Sequence, residues 1–326
     1  MPRRAAVESP WHGLLVVDKP GLDTPGQDAA RLLTSHDVVQ RVRRWSGQRR
    51  IGHTGTLDPL ASGVLILCLG QATRLVEYYQ GHAKSYVAEV ALGAATDTYD
   101  AVGQVVSQAP VPPLDEATIE AALHVWRGDI QQTPPVYSAL KQEGEALYAK
   151  ARRGETVEVA ARPVTIHRLE LVAWGPPDRL TLRVVCSAGT YVRSLAHDLG
   201  HTLGTVAHLA RLRREAAGQF TLADNHPLPA VEAAAEAGRL AELLLPLGAG
   251  LELPRLLVDE ETARRLGFGQ QVAIATPVAL GDDALAAVYT AAPNGGGATL
   301  AGIVRRLGLT DDGAQLWKAE KWFASS

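Results

Sequence analysis

Two cysteines, Cys68 and Cys186, are all that 326 residues carry, and each sits inside an apolar, strand-like segment. That scarcity argues against a disulfide framework or a cysteine-built metal site and leaves two buried free thiols as the expectation. Long hydrophobic runs are missing as well. None approaches the ~18 residues needed to cross a bilayer, and the opening Met-Pro-Arg-Arg-Ala-Ala-Val-Glu lacks the apolar segment of a signal peptide. The chain is therefore expected to be soluble and cytoplasmic, with no membrane partner. Cofactor loops are absent too: no Gly-x-Gly-x-x-Gly follows a strand, and no Gly-x-x-x-x-Gly-Lys-Ser/Thr occurs. Neither sign of charge dominates, since the net charge is −3, and the molecule is not coated in positive charge. A hydrophobic share of 46% supplies a real core, so disorder is not expected.

The charge that is present is unevenly spread. Basic residues gather at Arg41, Arg43, Arg44, Arg49 and Arg50, at Lys150, Arg152 and Arg153, and at Arg211, Arg213 and Arg214, whereas acids gather between Glu215 and Glu261. The basic clusters suit a polyanion even though the whole molecule is not basic. Thr34-Ser35-His36-Asp37 caps a helix that sets Val38, Val39, Val42 and Trp45 on one face. Its arginines lie elsewhere and serve either as a solvated face or as phosphate contacts.

Residues 52–63, Gly-His-Thr-Gly-Thr-Leu-Asp-Pro-Leu-Ala-Ser-Gly, run directly into the apolar strand 64–69. Asp58 is the strongly reactive group of this loop, and Pro59 biases it towards extended backbone. On pattern alone, a capping aspartate and a chemically active one are equally good readings. Further strands are expected at 13–18, 84–92, 164–172 and 180–186, with helices at 71–80, 117–126 and 195–203. Thr96-Asp97-Thr98-Tyr99-Asp100 is an acidic turn. No histidine or third acid follows it at ligand spacing, so hydrogen-bonding roles are expected rather than a metal site. Residues 137–161 interrupt the sheet pattern as a mobile insertion. Looser composition near 248–254 divides a domain of residues 1–250 from one of 251–326, where strands at 285–289, 300–304 and 316–323 and a hairpin-like loop at 293–297 indicate a small β-barrel. The expected class is α+β, with a mixed, largely antiparallel central sheet and flanking helices.

Five stretches, taken with the 52–63 loop, carry a resemblance. They are Val17-Asp18-Lys19-Pro20, Lys84-Ser85-Tyr86, Thr96 to Asp100, Tyr137-Ser138-Ala139-Leu140-Lys141 and Gly189-Thr190-Tyr191-Val192-Arg193. Their order and spacing resemble the TruB family of tRNA pseudouridine synthases over nearly the whole chain. The resemblance implies the pseudouridine synthase fold with a PUA-like C-terminal RNA-binding domain. It also implies isomerisation of uridine 55 in the tRNA T loop, with Asp58 as the catalytic aspartate, Tyr86 stacking on the uracil and Arg193 pairing with Asp58. Tyr191 and Leu212 match the uridine pocket, His53 matches a residue that packs among extruded T-loop bases, and Lys19 belongs to the first motif, counted here with the substrate-binding set. One stretch departs from the family: residues 21–33 intervene between the Asp-Lys-Pro turn and Thr34-Ser35.

Moving uracil from its N-glycosidic bond to C5 needs no redox partner, metal or energy source, so no cofactor is expected. It needs an ionised carboxylate in an enclosed site, and a bidentate Arg193 favours that form. Asp58 acts as nucleophile on sugar or base, or as a base on a ribose proton; the residues do not choose. The partner is tRNA, met at its T arm and, through the C-terminal domain, its acceptor stem, by a monomer. Two other readings compete: an RNA-binding protein or folding chaperone without turnover, and an aspartyl-phosphate enzyme, which Thr54-Gly55-Thr56-Leu57-Asp58 superficially suggests. The second is weaker because the aspartate follows the Thr-Gly-Thr turn instead of preceding it.

Overall fold

The computed structural model describes residues 11–138, 141–142, 145–146, 153, 159–275, 280–291, 297–311 and 313–323. Its first part contains β1 (Gly13–Lys19), α1 (Ser35–Ser46), β2 (Ile51–His53), β3 (Ser62–Leu69), α2 (Val76–Gln80), β4 (Lys84–Leu92) and α3 (Glu116–His124). There follow β5 (Gly128–Gln132), β6 (Arg162–Gly175), β7 (Arg179–Cys186), α4 (Val192–Thr202), β8 (Ala207–Ala217) and α5 (Leu228–Glu236).

β1 and β3 are apolar at almost every position because both faces of their sheet are covered. Alternate side chains of a strand point to opposite faces. Leu15, Val17, Leu65 and Leu67 enter one core with Val38 and Val42 of α1, Ile119 of α3, Leu195 of α4 and Val231 of α5. Leu14, Val16, Val64, Ile66 and Cys68 enter a second core with Tyr79 and Phe220. Among the described residues the sheet has ten strands. A short strand at His226–Pro227 leads, followed by β1, β3, β8, β4, β7, β6 and β5, while β2 pairs with β3 and Phe220–Thr221 with β8. Pairing is antiparallel except between β3 and β8 and between β1 and His226–Pro227. This is the mixed, largely antiparallel α+β sheet expected.

The C-terminal part holds β9 (Arg255–Leu257), α6 (Glu260–Gly267), β10 (Val272–Ile274), β11 (Leu285–Ala291), β12 (Ala298–Leu309) and β13 (Gln315–Trp322). These strands make a curled half-barrel in the order β9, β11, β12, β13, β10 around Leu266, Val288, Val304 and Trp317. Ala287, Tyr289, Leu300 and Ile303 close the second core against β1 and β3. Arg74 donates to the Trp322 carbonyl and Lys321 to the Arg74 carbonyl, both at 2.7 Å.

Two expectations shift. The helix foreseen at 195–203 begins three residues earlier, because the Gln132 side-chain amide donates to the Tyr191 carbonyl and accepts from the Tyr191 N–H, ending the preceding turn there. The helix foreseen at 71–80 divides into a 3-10 segment, Gly70–Leu75, and α2. Residues 207–214, which mix basic and apolar side chains, form most of the central strand β8. Most of the 137–161 insertion, with Lys150 and Arg152, and residues 293–296 of the hairpin-like loop lie outside the described residues. Among the described residues no helix is long and apolar enough to cross a membrane.

Candidate active site

The 52–63 loop is held from beneath. Lys19 is fully buried, and its ammonium donates to the carbonyls of Pro20 and Pro59 at 3.0 Å and of Ala61 at 2.7 Å. The Ser35 hydroxyl, at the start of α1, accepts from the Leu57 N–H at 2.8 Å and donates to its carbonyl at 3.1 Å. Arg214, also buried, donates to the carbonyls of Val64 at 2.7 Å and Gly55 at 3.2 Å. Gly63 adopts φ +100°, and a Cβ there would meet the Arg214 carbonyl oxygen at 2.2 Å. The close parallel approach of β3 to β8 therefore requires glycine.

On this support Asp58 faces α4. Arg193, in the first turn of that helix, donates from Nε to Oδ2 and from Nη2 to Oδ1, each at 3.0 Å. The guanidinium is fixed by further bonds, Nη1 to the Thr98 carbonyl and Nη2 to the Tyr137 carbonyl, each at 3.0 Å. Asp100 lies 3.7 Å from Nη1. A cavity of about 640 Å³ opens over the pair, with Asp58, Tyr86, Tyr191, Arg193, Leu212 and Arg214 among its walls.

Burial shapes the electrostatics here. It pushes the Asp100 carboxyl above the usual carboxylate range, against the pull of Thr98 and Arg193. It raises the phenols of Tyr86 and Tyr191. It lowers Lys84, on the cavity wall, to about 8, with Arg214 adding to the effect. Lys19 falls to about 8 by the same cause, although Asp58 and Asp23 oppose it. Chemically, the cavity offers one partly exposed carboxylate with its charge met by a buried cation, between an aromatic and an aliphatic wall.

Comparison with known proteins places the chain in a family. Residues 43–192 match the TruB family pseudouridylate synthase (N terminal domain), and residues 193–252 match the tRNA pseudouridylate synthase B C-terminal domain. A tRNA pseudouridine synthase B of Xanthomonas axonopodis pv. citri (strain 306) is 46% identical over 268 residues, 82% of this chain and 83% of the relative. The chain belongs to the TruB family of pseudouridylate synthases. A second TruB relative, the tRNA pseudouridine synthase B of Arthrobacter sp. (strain FB24), is 42% identical over 292 residues, 87% of this chain and 90% of its own. Among solved structures, a Cbf5-Nop10-Gar1 complex matches with TM-score 0.70 at 24% identity over 96% of this chain and 85% of that one. An H/ACA RNP bound to a substrate RNA containing 2'-deoxyuridine matches with TM-score 0.69 at 22% identity, over 96% and 86%. At such identities these two show the shared fold.

In this TruB chain the structure brings Asp58, Arg193, Tyr86, Tyr191 and Leu212 to one cavity. It does not bring Lys19 there; that ammonium sits below the loop with its donors on three carbonyls, so it supports the loop without facing a ligand. His53 lies half-buried on β2, next to the cavity-lining Thr54, and burial, then Arg214, lowers its basicity. Sequence reasoning missed Arg214, Lys84 and Asp100 as parts of the site. Asp100 and Lys84 had usable signals, their places in the acidic turn and in the Lys84-Ser85-Tyr86 stretch.

Proposed function

We propose that this chain isomerises uridine 55 in the T loop of tRNA to pseudouridine, with Asp58 as the reacting carboxylate. The observation that carries the reading is the bidentate Asp58–Arg193 pair at the floor of a cavity walled by Tyr86 and Leu212. A uridine inside a folded loop reaches such a floor only when flipped out, which costs a few kcal/mol of unstacking. Tyr86 recovers part of that by stacking, and Leu212 and Tyr191 fill the space around the base. Arg193 fixes the carboxylate rotamer and balances its charge, so that Asp58 attacks the sugar or base, or removes a ribose proton, from one defined position. His53 packs among the neighbouring displaced bases as a neutral ring.

The half-barrel from Arg255 onward serves as a PUA-like module for the acceptor stem, and the exposed Arg44 and Arg49 supply phosphate contacts that position the RNA. The enzyme acts in the cytoplasm as a monomer. The decisive experiment is Asp58→Asn assayed on a T-arm stem-loop RNA. Pseudouridine formation is expected to vanish while RNA binding persists. Turnover at the parent rate would falsify the assignment.

A further inference from the structure

Outside the Asp58 cavity, α4 carries two histidines that the reaction proposed above leaves unused. His197 and His201 stand four residues apart and so share one face of the helix. Their Nε2 atoms are 3.2 Å from each other, with the rings at 82° and their centroids 4.7 Å apart. Rings aimed straight at one another across that gap would hold their centroids farther apart, so at least one ring is turned off the line between the two nitrogens. Zinc binds imidazole nitrogen at about 2.0–2.1 Å, and two nitrogens at this spacing subtend about 100° at such an ion, close to a tetrahedral angle.

The pair is also built into its surroundings. The His197 ring lies flat on Tyr99, with centroids 3.9 Å apart and planes within 11°. Tyr99 holds φ +62°, a left-handed backbone that bulky side chains seldom adopt, in the turn whose Thr98 carbonyl accepts from Arg193. Asp198 sets a carboxyl near both His201 and Tyr99. Burial, then His201, lowers the basicity of His197 against the pull of the Ala207 backbone, so this ring is neutral near pH 7, as a metal ligand must be. We propose that His197 and His201 together bind an imidazole-preferring divalent cation such as Zn²⁺, and that the ion, by fixing the His197 ring against Tyr99, steadies the Thr96–Asp100 turn. Whichever ring donates in the bond between the two Nε2 atoms moves its proton to Nδ1 to coordinate. Among the described residues no group of three or more histidine, cysteine or acidic side chains is set to hold an ion. Water therefore completes the coordination, and the ion exchanges readily. Neither histidine lines the Asp58 cavity, so the ion touches no reacting group.

The test uses the full, untagged chain stripped of metal, with Zn²⁺ or Cu²⁺ as the probe. Calorimetric titration with Zn²⁺ is expected to show one strong site in the parent, weakened at least about tenfold in His201→Gln. It should be unchanged in His36→Gln, an exposed histidine on α1. His201 is exposed, so its variant is expected to fold, and circular dichroism checks that. Bound Cu²⁺ should show the hyperfine lines of two imidazole nitrogens by electron paramagnetic resonance in the parent, and of one in His201→Gln. Zn²⁺ should slow hydrogen exchange at the amides of the Thr96–Asp100 turn in the parent and not in the variant. Equal zinc affinity in parent and His201→Gln, or a copper spectrum with fewer than two imidazole nitrogens, means an adventitious ion only and overturns the site. Zinc held by both histidines with exchange unchanged overturns its hold on the turn. None of these readouts uses turnover, so failure of the activity proposed for Asp58 leaves each outcome as it stands.

Discussion

Arg193 meets Asp58 edge to edge, Nε to Oδ2 and Nη2 to Oδ1, and the same guanidinium is bonded to two backbone carbonyls from separate loops. The pair thus joins four segments: the 52–63 loop, the Thr96–Asp100 turn, the region of Tyr137 and α4. A side chain held in this way sets the direction of the carboxylate and places a cation against it.

Arg193→Lys separates direction from charge. The ammonium keeps the cation but offers no planar fork, so the carboxylate is free to turn. Single-turnover pseudouridine formation is expected to slow by at least about tenfold, equivalent to roughly 1.4 kcal/mol of barrier, with RNA affinity changed little. A rate equal to the parent's, or a loss confined to affinity, refutes the positioning role.

Tyr86 offers its ring to the cavity from β4, and the residue is only 8% exposed. Base stacking on an aromatic ring contributes about 1–3 kcal/mol. Tyr86→Ala should therefore reduce kcat/KM by about ten- to a hundredfold, whereas Tyr86→Phe, which keeps the ring and loses a hydroxyl near Arg214, should fall much less. Equal losses in the two variants would mean that the hydroxyl, and not the ring, does the work.

The parts of the site that were readable in the sequence are those announced by local chemistry. Asp58 stands beside proline among glycines, which left capping and chemistry equally open, and Arg193 follows a Gly-Thr turn at a strand end; the site roles of Tyr86 and of the Asp58–Arg193 pairing came from the family resemblance. The sheet was readable at β1 and β3 because double-sided burial leaves an unbroken apolar run. Arg214 was not readable, because its neighbours Arg211 and Arg213 give the segment the look of a solvated basic patch. Its burial arises from the pairing of β8 with β3, a contact between segments about 150 residues apart. Lys19 misled for a related reason. Its place in the first motif put it with the substrate-binding set, and only the path of residues 59–61 around its ammonium shows that it holds carbonyls.

Lys19 gives a pH signature. Burial lowers its ammonium from 10.5 to about 8 in the folded chain. Below about pH 8 both states carry the proton, and the burial penalty applies in full. Between about 8 and 10.5 the folded state has released a proton that the unfolded chain keeps, so stability rises with pH. Lys19→Met lacks this gain and leaves carbonyls unpaired, a cost of about 1–3 kcal/mol near neutrality. Urea unfolding of the two proteins should show that deficit widening by on the order of 2 kcal/mol between about pH 7.5 and pH 9.5. A deficit that is constant or shrinks over that window means that the buried amine does not titrate as its surroundings dictate.

Gly63 is a tight point in the support of the 52–63 loop, and a paired substitution isolates why. Gly47, which ends α1, also has a left-handed backbone, at φ +68°, but a Cβ there meets nothing within 4 Å. Gly47→Ala should therefore cost only the conformational strain, about 1–2 kcal/mol. At Gly63 the added methyl meets the Arg214 carbonyl oxygen at 2.2 Å, and its amide nitrogen at 2.9 Å. Backbone atoms in the middle of a sheet cannot step aside as a flexible side chain does, so β3 must separate from β8. That separation pulls Val64 and Gly55 from the Arg214 guanidinium and tilts the loop that carries Asp58. Gly63→Ala should lower the melting temperature well beyond Gly47→Ala and should also reduce kcat in the protein that remains folded. Equal melting temperatures for the two variants would show that the two strands have room to spare, and the loop would then owe its position to Lys19 and Ser35.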